Sequence, residues 1–288
     1  MPSRNTVVRC LVLLAVAFAV VYGAVVLSLV HNWVVDDNYS HAFVLVPAAA
    51  YLAWLRRADL AAQPLAPSFL GLLVVVVSLV VFAAGTLGAE VFLARISMLG
   101  VAGGTILFVA GRRHLAILAF PLGLLLLVVP LPALLFNQVA FPLQLLASRL
   151  GEWALWATGV PVLREGNVIT LAHTRLEVAE ACSGIRSLMS LVALALLYGY
   201  FSDPRPGVRA ALAAVAVPVA IVVNGLRIAG TGLLAQQFGA QAAEGFFHAF
   251  SGWLMFVAAF ALLVAAHRVI AWEWPQPAPV LAAQGTES

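Results

Sequence analysis

The sequence predicts an all-α polytopic membrane protein, and three observations support this fold class. Of the 288 residues, 64% are hydrophobic and only 9% are charged, and the mean hydropathy is +1.05. A soluble domain is closer to about half apolar and about a quarter charged. Apolar runs recur at roughly the ~20 residues that a transmembrane helix needs, and arginines flank these runs. We therefore predict about eight transmembrane helices, one interfacial or re-entrant segment and a small extracytoplasmic β-like hairpin.

Hydropathy and its breaks predict the helix positions along the chain. The predicted helices lie at 10–30, 42–55, 69–87, 91–110, 114–129, 133–158, 185–201, 209–228 and 250–267. The 133–158 segment carries a partly polar face, so we expect it to lie in the membrane interface or to dip in and return. The first apolar run is longer than a signal-peptide core, so we expect an uncleaved first helix. One membrane domain is predicted over 1–272, and 273–288 is predicted to be a disordered cytoplasmic tail.

Arginine positions predict the orientation in the membrane. The chain contains no lysine, and its arginines lie beside the apolar runs, for example as the pairs Arg56-Arg57 and Arg112-Arg113. If both termini are cytoplasmic and 133–158 does not cross, these pairs and Arg205, Arg209 and Arg268 all lie on the cytoplasmic side. The opposite face then receives the long stretch from Pro130 to Gly184. Within it, two short β-like runs, 168–171 and 176–178, together with a Glu165-Gly-Asn167 turn signal predict the hairpin.

Cys182 is the candidate nucleophile. It lies in Glu180-Ala-Cys-Ser-Gly-Ile-Arg186, just before a predicted membrane helix. Free backbone N–H groups and the positive end of the helix dipole favour a thiolate there and lower a cysteine pKa from ~8.5 toward neutrality. Ser183 is a candidate N-cap, and Gly184 lets the backbone come close to a substrate carbonyl. The alternative is an ordinary small residue at a helix end.

Two further candidates are expected at helix ends on the same membrane face as Cys182. Arg227 ends one predicted helix, and Asn224 shares its helix face because the two are three residues apart. An arginine in an apolar helix marks function by default, although an interfacial arginine is the alternative. His248 opens the last predicted helix among aromatic residues, where a packed histidine is the alternative. Together a thiol, a guanidinium and an imidazole can cleave an amide bond.

Other functional classes find little support in the composition. The arginine pairs are explained by membrane topology, so no nucleic-acid partner is predicted. The two cysteines, Cys10 and Cys182, form neither a disulfide framework nor a CxxC zinc motif. Histidines and aspartates near residues 31–41 lack tight ligand spacing, so no metal site and no cofactor is predicted.

At these residues the chain resembles the exosortase/archaeosortase family of membrane cysteine transpeptidases. The motifs are Ala181-Cys-Ser-Gly184 with Ile185-Arg186, then Asn224-Gly-Leu-Arg-Ile228, then His248. Upstream, Trp33, Asp37-Asn-Tyr-Ser-His41 and Gly159-Val-Pro-Val-Leu-Arg-Glu-Gly-Asn167 also look like family segments, so the likeness runs from about residue 30 to 265 in the right order.

The resemblance implies a multi-pass enzyme of the bacterial inner membrane with an extracytoplasmic active site. It would cleave C-terminal sorting signals, made of a Pro-Glu-Pro-like motif, a transmembrane helix and a basic cluster, and transfer the protein to an unknown acceptor nucleophile. Cys182, Arg227 and His248 match the family's catalytic cysteine, arginine and histidine. The expected partners are such protein substrates and membrane lipid. Two alternatives stay open: a transporter or membrane subunit of an exopolysaccharide export system, and a cysteine acyltransferase acting on lipid thioesters.

Overall fold

The structure is a computed structural model that describes residues 4–172, 175–177, 185–239 and 246–274. The chain divides into two compact units, Met1–Gln138 and Val139–Ser288. The predicted tail therefore lies outside the described residues from 275 onward.

The first unit is built from helices joined by short connections. They are α1 (Arg4–Val35), a 3₁₀ turn (Asp37–Tyr39), α2 (Ala42–Leu55), α3 (Arg57–Ala62), α4 (Phe69–Leu87), α5 (Val91–Val109), α6 (Arg112–Leu124), a second 3₁₀ turn (Leu125–Val128) and the beginning of α7 (Ala133–Ala157). Glycines bring α4 and α5 together: a Cβ on Gly71 would lie 2.2 Å from the Phe108 backbone nitrogen. Small residues permit this close approach of membrane helices, where lipid supplies no hydrophobic drive between them.

A buried arginine connects α5 to α1 within the first unit. Arg95 is only 4% exposed, and its Nη2 donates hydrogen bonds to Ser28 Oγ at 3.0 Å and Asn32 Oδ1 at 2.9 Å. The Tyr22 hydroxyl, six residues before Ser28, and Ser97 Oγ, two residues after Arg95, are hydrogen-bonded at 3.0 Å. These uncharged partners supply hydrogen bonds that lipid could not supply to polar groups inside the membrane. The sequence analysis did not single out Arg95, although its place in an apolar helix was a sufficient signal.

The second unit combines four helices with a small sheet. It contains the rest of α7, then β1 (Leu163–Glu165), β2 (Val168–Thr170), β3 (Arg175–Glu177), α8 (Ile185–Ser202), α9 (Pro206–Phe238) and α10 (Phe246–Glu273). The strands are antiparallel in the order β1-β2-β3, and Glu165 pairs with Val168 across a two-residue turn. Gly166 begins that turn with φ 66°, as a hairpin with glycine at the first turn position requires. The predicted hairpin is confirmed, with a third strand added.

Among its described residues, two apolar clusters hold the second unit together. Residues of α8, α9 and α10 form the larger one, which includes the fully buried Leu191, Leu212 and Leu263. The second cluster joins α7, the sheet and the later part of α9, and it includes the buried Leu155, Ile169 of β2 and Ile228. The sheet is therefore anchored by an apolar side chain on helices that continue the membrane bundle.

The predicted number of membrane spans is not confirmed. Among the described residues, six helices are long and apolar enough to cross a membrane: α1, α4, α5, α8, α9 and α10. A seventh is possible if Arg112–Val128 and Ala133–Ala157, a bent pair, form one broken span rather than a re-entrant loop. Helix α2 has 14 residues, about 21 Å of helix, which is short of the ~30 Å hydrocarbon layer. As predicted, α7 does not qualify as a span alone.

Candidate active site

The site is built around Asn224 and Arg227 of α9. Asn224 is 4% exposed, and Arg227, one turn later, is half-buried. Both line a cavity between α8, α9 and α10, together with Ser187 and the apolar or small residues Leu191, Ala220, Val223, Gly252, Met255, Phe256 and Ala259. Three polar side chains thus converge in surroundings that are otherwise apolar, which strengthens any electrostatic interaction made there.

Gly252 brings α10 against the guanidinium of Arg227. A Cβ built at Gly252 would lie 3.7 Å from Arg227 Nη2 and 3.8 Å from its Cζ. On the α10 side, the guanidinium therefore faces the backbone of Gly252 rather than a side chain, and this leaves room for a substrate group to approach. A larger residue at this position would take that room.

Arg227 does not lie at a helix end, and this part of the sequence prediction is wrong. Helix α9 continues for eleven residues beyond it, to Phe238. The reason lies in the packing, since Ile228 and Ala229 are buried against α7 and the sheet, so the helix keeps an apolar face after the polar pair. Gly199 of α8 nevertheless packs against Arg209 in the α8–α9 hairpin. Because the two helices run in opposite directions, the start of α8, fourteen residues before Gly199, lies near Val223, fourteen residues after Arg209. Arg227 is therefore about one turn beyond the level where α8 begins.

The other predicted site residues flank this cavity along the chain. Cys182, Ser183 and Gly184 lie outside the described residues, immediately before Ile185, the first residue of α8. The backbone of His248 lies in the first turn of α10, while its side chain is outside the described part. His248 precedes Gly252 by four residues, so the two positions share a face of α10. The catalytic roles of all these residues remain predictions.

Ser187 and Gly252 are two cavity residues that the sequence analysis missed. Gly252 is four residues after His248, which is a same-face helical spacing, whereas Ser187 is five residues after Cys182, which is not. The sequence therefore contained a spacing signal for Gly252 alone. The role of Gly252 could be recognised only in the structure, because what matters is that no side chain stands opposite Arg227 at this position.

A network of charged residues lies at the α8–α9 connection, at the end of these helices opposite the cavity. Asp203, 4% exposed, accepts hydrogen bonds from Arg205 Nε at 2.9 Å and Nη2 at 2.6 Å, and its own carbonyl accepts one from Arg209 Nε at 2.7 Å. The guanidinium of Arg205 holds the pKa of the Asp203 carboxyl well below its usual range. Arg205 also donates to the carbonyl oxygen of Trp274, which ties the α8–α9 connection to the end of α10.

Comparison with known proteins agrees with the motifs that the site is built from. No curated protein and no solved structure matches the chain. The model of one protein family, described as transmembrane exosortase, matches residues 33–265. This range covers most of the chain and includes Cys182, Asn224 and Arg227 of α9, and His248. The resemblance predicted from the motifs is confirmed, and the chain belongs to the transmembrane exosortase family.

Proposed function

We propose that this protein is a membrane-embedded cysteine protease or transpeptidase that cleaves C-terminal sorting signals and transfers the exported protein to an acceptor. One observation carries the proposal: Arg227 and Asn224 line a cavity between three helices, two of which begin beside Cys182 and His248. Ile185 is three residues after Cys182, and this length of chain spans at most ~11 Å. Chain connectivity thus keeps the nucleophile near the end of α8 that borders the cavity.

The first half of the reaction forms a thioester. The Cys182 thiolate attacks the scissile carbonyl carbon, and the C=O electron pair moves onto oxygen. Arg227 donates hydrogen bonds to that oxygen, and a donor of this kind is worth ~3 kcal/mol. The oxyanion then collapses and the C–N bond breaks, while His248 gives a proton to the departing amine. Asn224 orients Arg227 or the substrate backbone.

The second half releases the product. His248, now neutral, takes a proton from the acceptor nucleophile, which attacks the thioester carbonyl. The C–S bond breaks and the Cys182 thiolate is restored. Water as acceptor gives hydrolysis, whereas an amine or hydroxyl of another molecule gives transfer. Ser183 as N-cap and Gly184 as the point of close backbone approach support the nucleophile in this scheme.

The direction of the helices supports an extracytoplasmic site. Within the second unit, Arg205 and Arg209 lie at the Asp203 end of the α8–α9 hairpin, and the cavity lies toward its other end. Fifteen residues of helix, about 22 Å, separate Arg209 from Asn224. The positive-inside rule assigns the arginine-rich end to the cytoplasm. The proposed enzyme of the inner membrane then has cytoplasmic termini and cuts its substrate near the outer surface.

The proposed substrate is an exported protein whose C-terminal helix enters the site from the lipid. Its basic cluster stays in the cytoplasm, and the motif before its helix reaches the level of Arg227. The lipid bilayer is thus a partner of the reaction, and the acceptor nucleophile is to be identified. Glycine-rich contacts between helices are suited to such lateral entry, because they let helices approach and separate without burying polar groups.

A size-shift assay in cells tests this function. The protein is co-expressed with a reporter that bears a Pro-Glu-Pro motif, a transmembrane helix and a basic cluster. We expect a shorter reporter with the wild type and with Cys10→Ala, the matched control for loss of a thiol, but not with Cys182→Ala. Mass spectrometry of the new C-terminus separates hydrolysis from transfer. Full processing by Cys182→Ala would exclude the mechanism. An intact reporter with a folded wild type would instead favour an export-system subunit.

A further inference from the structure

The cavity beside Arg227 is the size of one oxygen-containing group. The space open to the centre of a water molecule is about 20 Å³, and roughly 10–15 Å³ measured in this way holds one water. An amino-acid side chain does not fit such a volume. A water or a carbonyl oxygen does, provided that two to four polar groups hold it.

Three polar side chains meet that requirement, and each comes from a different position of the bundle wall. Arg227 supplies N–H donors and Asn224 supplies an amide on α9, while Ser187 supplies a hydroxyl on α8. The remaining wall is apolar or small. Arginine donates only, whereas a serine hydroxyl both donates and accepts. Ser187 is thus the group of α8 that can complete the hydrogen bonding of an oxygen placed against Arg227.

We propose that Ser187 is a further catalytic residue that donates a hydrogen bond to the scissile carbonyl oxygen bound by Arg227. This inference rests on the proposed function and deepens it. The oxygen enters the cavity from the side of Cys182 and becomes the oxyanion when the thiolate attacks the carbonyl carbon; it returns to a carbonyl when the C–N bond breaks and the thioester forms. Two donors from two helices then share the negative charge, so the arrangement of α8 against α9 sets the strength of the oxyanion site.

The test compares two serines of the same helix. Ser187 and Ser190 are both half-buried in α8, but only Ser187 lines the cavity. The purified enzyme in detergent micelles is assayed with the sorting-signal reporter at increasing concentration to separate kcat from KM. We expect Ser187→Ala to lower kcat by about 100-fold with KM little changed, as for loss of one oxyanion donor. Ser190→Ala is expected to stay within about 3-fold of the wild type.

Two further variants separate chemistry from structure. Ser187→Thr keeps the hydroxyl and is expected to recover at least about 10-fold of the lost kcat. Gly252→Ala keeps every polar group but puts a methyl 3.7 Å from Arg227 Nη2, and it is expected to lower kcat without lowering the thermal unfolding temperature, since alanine favours the helix more than glycine does. An equal kcat for Ser187→Ala and Ser190→Ala would overturn the inference and leave the proposed function standing. If the wild type does not process the reporter, both fail together.

Discussion

A pair of glycine substitutions tests how closely α7 and α9 pack beside the site. A Cβ on Gly225 would lie 2.6 Å from Leu150 Cβ, and a Cβ on Gly151 would lie 2.7 Å from Ile228 Cγ2. Each contact is about 1 Å shorter than ordinary carbon–carbon packing. Gly225→Ala therefore forces the helices apart or bends them, at a cost of about 1–3 kcal/mol in the free energy of unfolding.

Gly230→Ala is the matched control on the same helix. A Cβ at Gly230 would meet nothing within 4 Å. Both substitutions gain about 1 kcal/mol of helix propensity from replacing glycine with alanine, and this gain cancels when the two are compared. The difference between Gly225→Ala and Gly230→Ala therefore isolates the overpacking cost, so Gly225→Ala should be less stable by about 1–3 kcal/mol.

Unfolding of the purified protein in mixed micelles with increasing denaturing detergent measures this difference. Gly225 stands next to Asn224, so the same displacement should also lower the rate of reporter cleavage by Gly225→Ala, while Gly230→Ala stays active. Equal free energies of unfolding for the two variants, within ~0.5 kcal/mol, would refute the close α7–α9 contact. Loss of stability without loss of cleavage would show that the contact does not position the α9 site.

Two further predictions concern the two ends of the α8–α9 hairpin. Arg227→Lys keeps the charge but loses the planar guanidinium fork. We expect kcat for reporter cleavage to fall by at least about 100-fold, with the free energy of unfolding unchanged. A near-normal kcat would contradict the proposed role of Arg227 at the oxyanion. At the other end, the folded-state pKa of Asp203 is lowered by Arg205, so its stabilisation is present above the unfolded pKa of ~4 and is lost as pH falls below it. Asp203→Asn should lower the free energy of unfolding at neutral pH by about 1–3 kcal/mol. Between roughly pH 5 and pH 3, on either side of the unfolded pKa, the stability of this variant should change less than that of the wild type. Parallel pH profiles would contradict this.

Local pattern was sufficient to predict most elements of this fold. The predicted helices at 42–55 and 69–87 have the bounds of α2 and α4, because the hydropathy breaks there coincide with helix ends. The turn signal at Gly166 is the turn between β1 and β2, whereas the two runs predicted as strands form β2 and β3. In α9, spacing alone put Asn224 and Arg227 on one face, and both do line one cavity. Periodicity and turn chemistry act over a few residues, so they can be read without a partner segment.

Contacts between distant segments could not be predicted in the same way. The end of α9 was placed too early because the apolar face of residues 228–238 is buried by α7 and β2, which the sequence of α9 does not reveal. The number of spans depended on α2, whose 14 residues are a complete helix without being a complete membrane crossing. The hydrogen-bond acceptors of Arg95 also needed the structure, since they lie on α1.

By itself, the sequence determined that this is a helical membrane protein of the exosortase family, and it predicted which residues supply a thiol, a guanidinium and an imidazole. Only the tertiary structure decided that Ser187 and Gly252 border Arg227 in one small cavity, because they come from three helices. Composition and motifs specify chemical groups and local conformation. The size of a cavity, and which donors meet in it, depend on how closely helices pack, and that distance is set by glycines and side chains far apart in the chain.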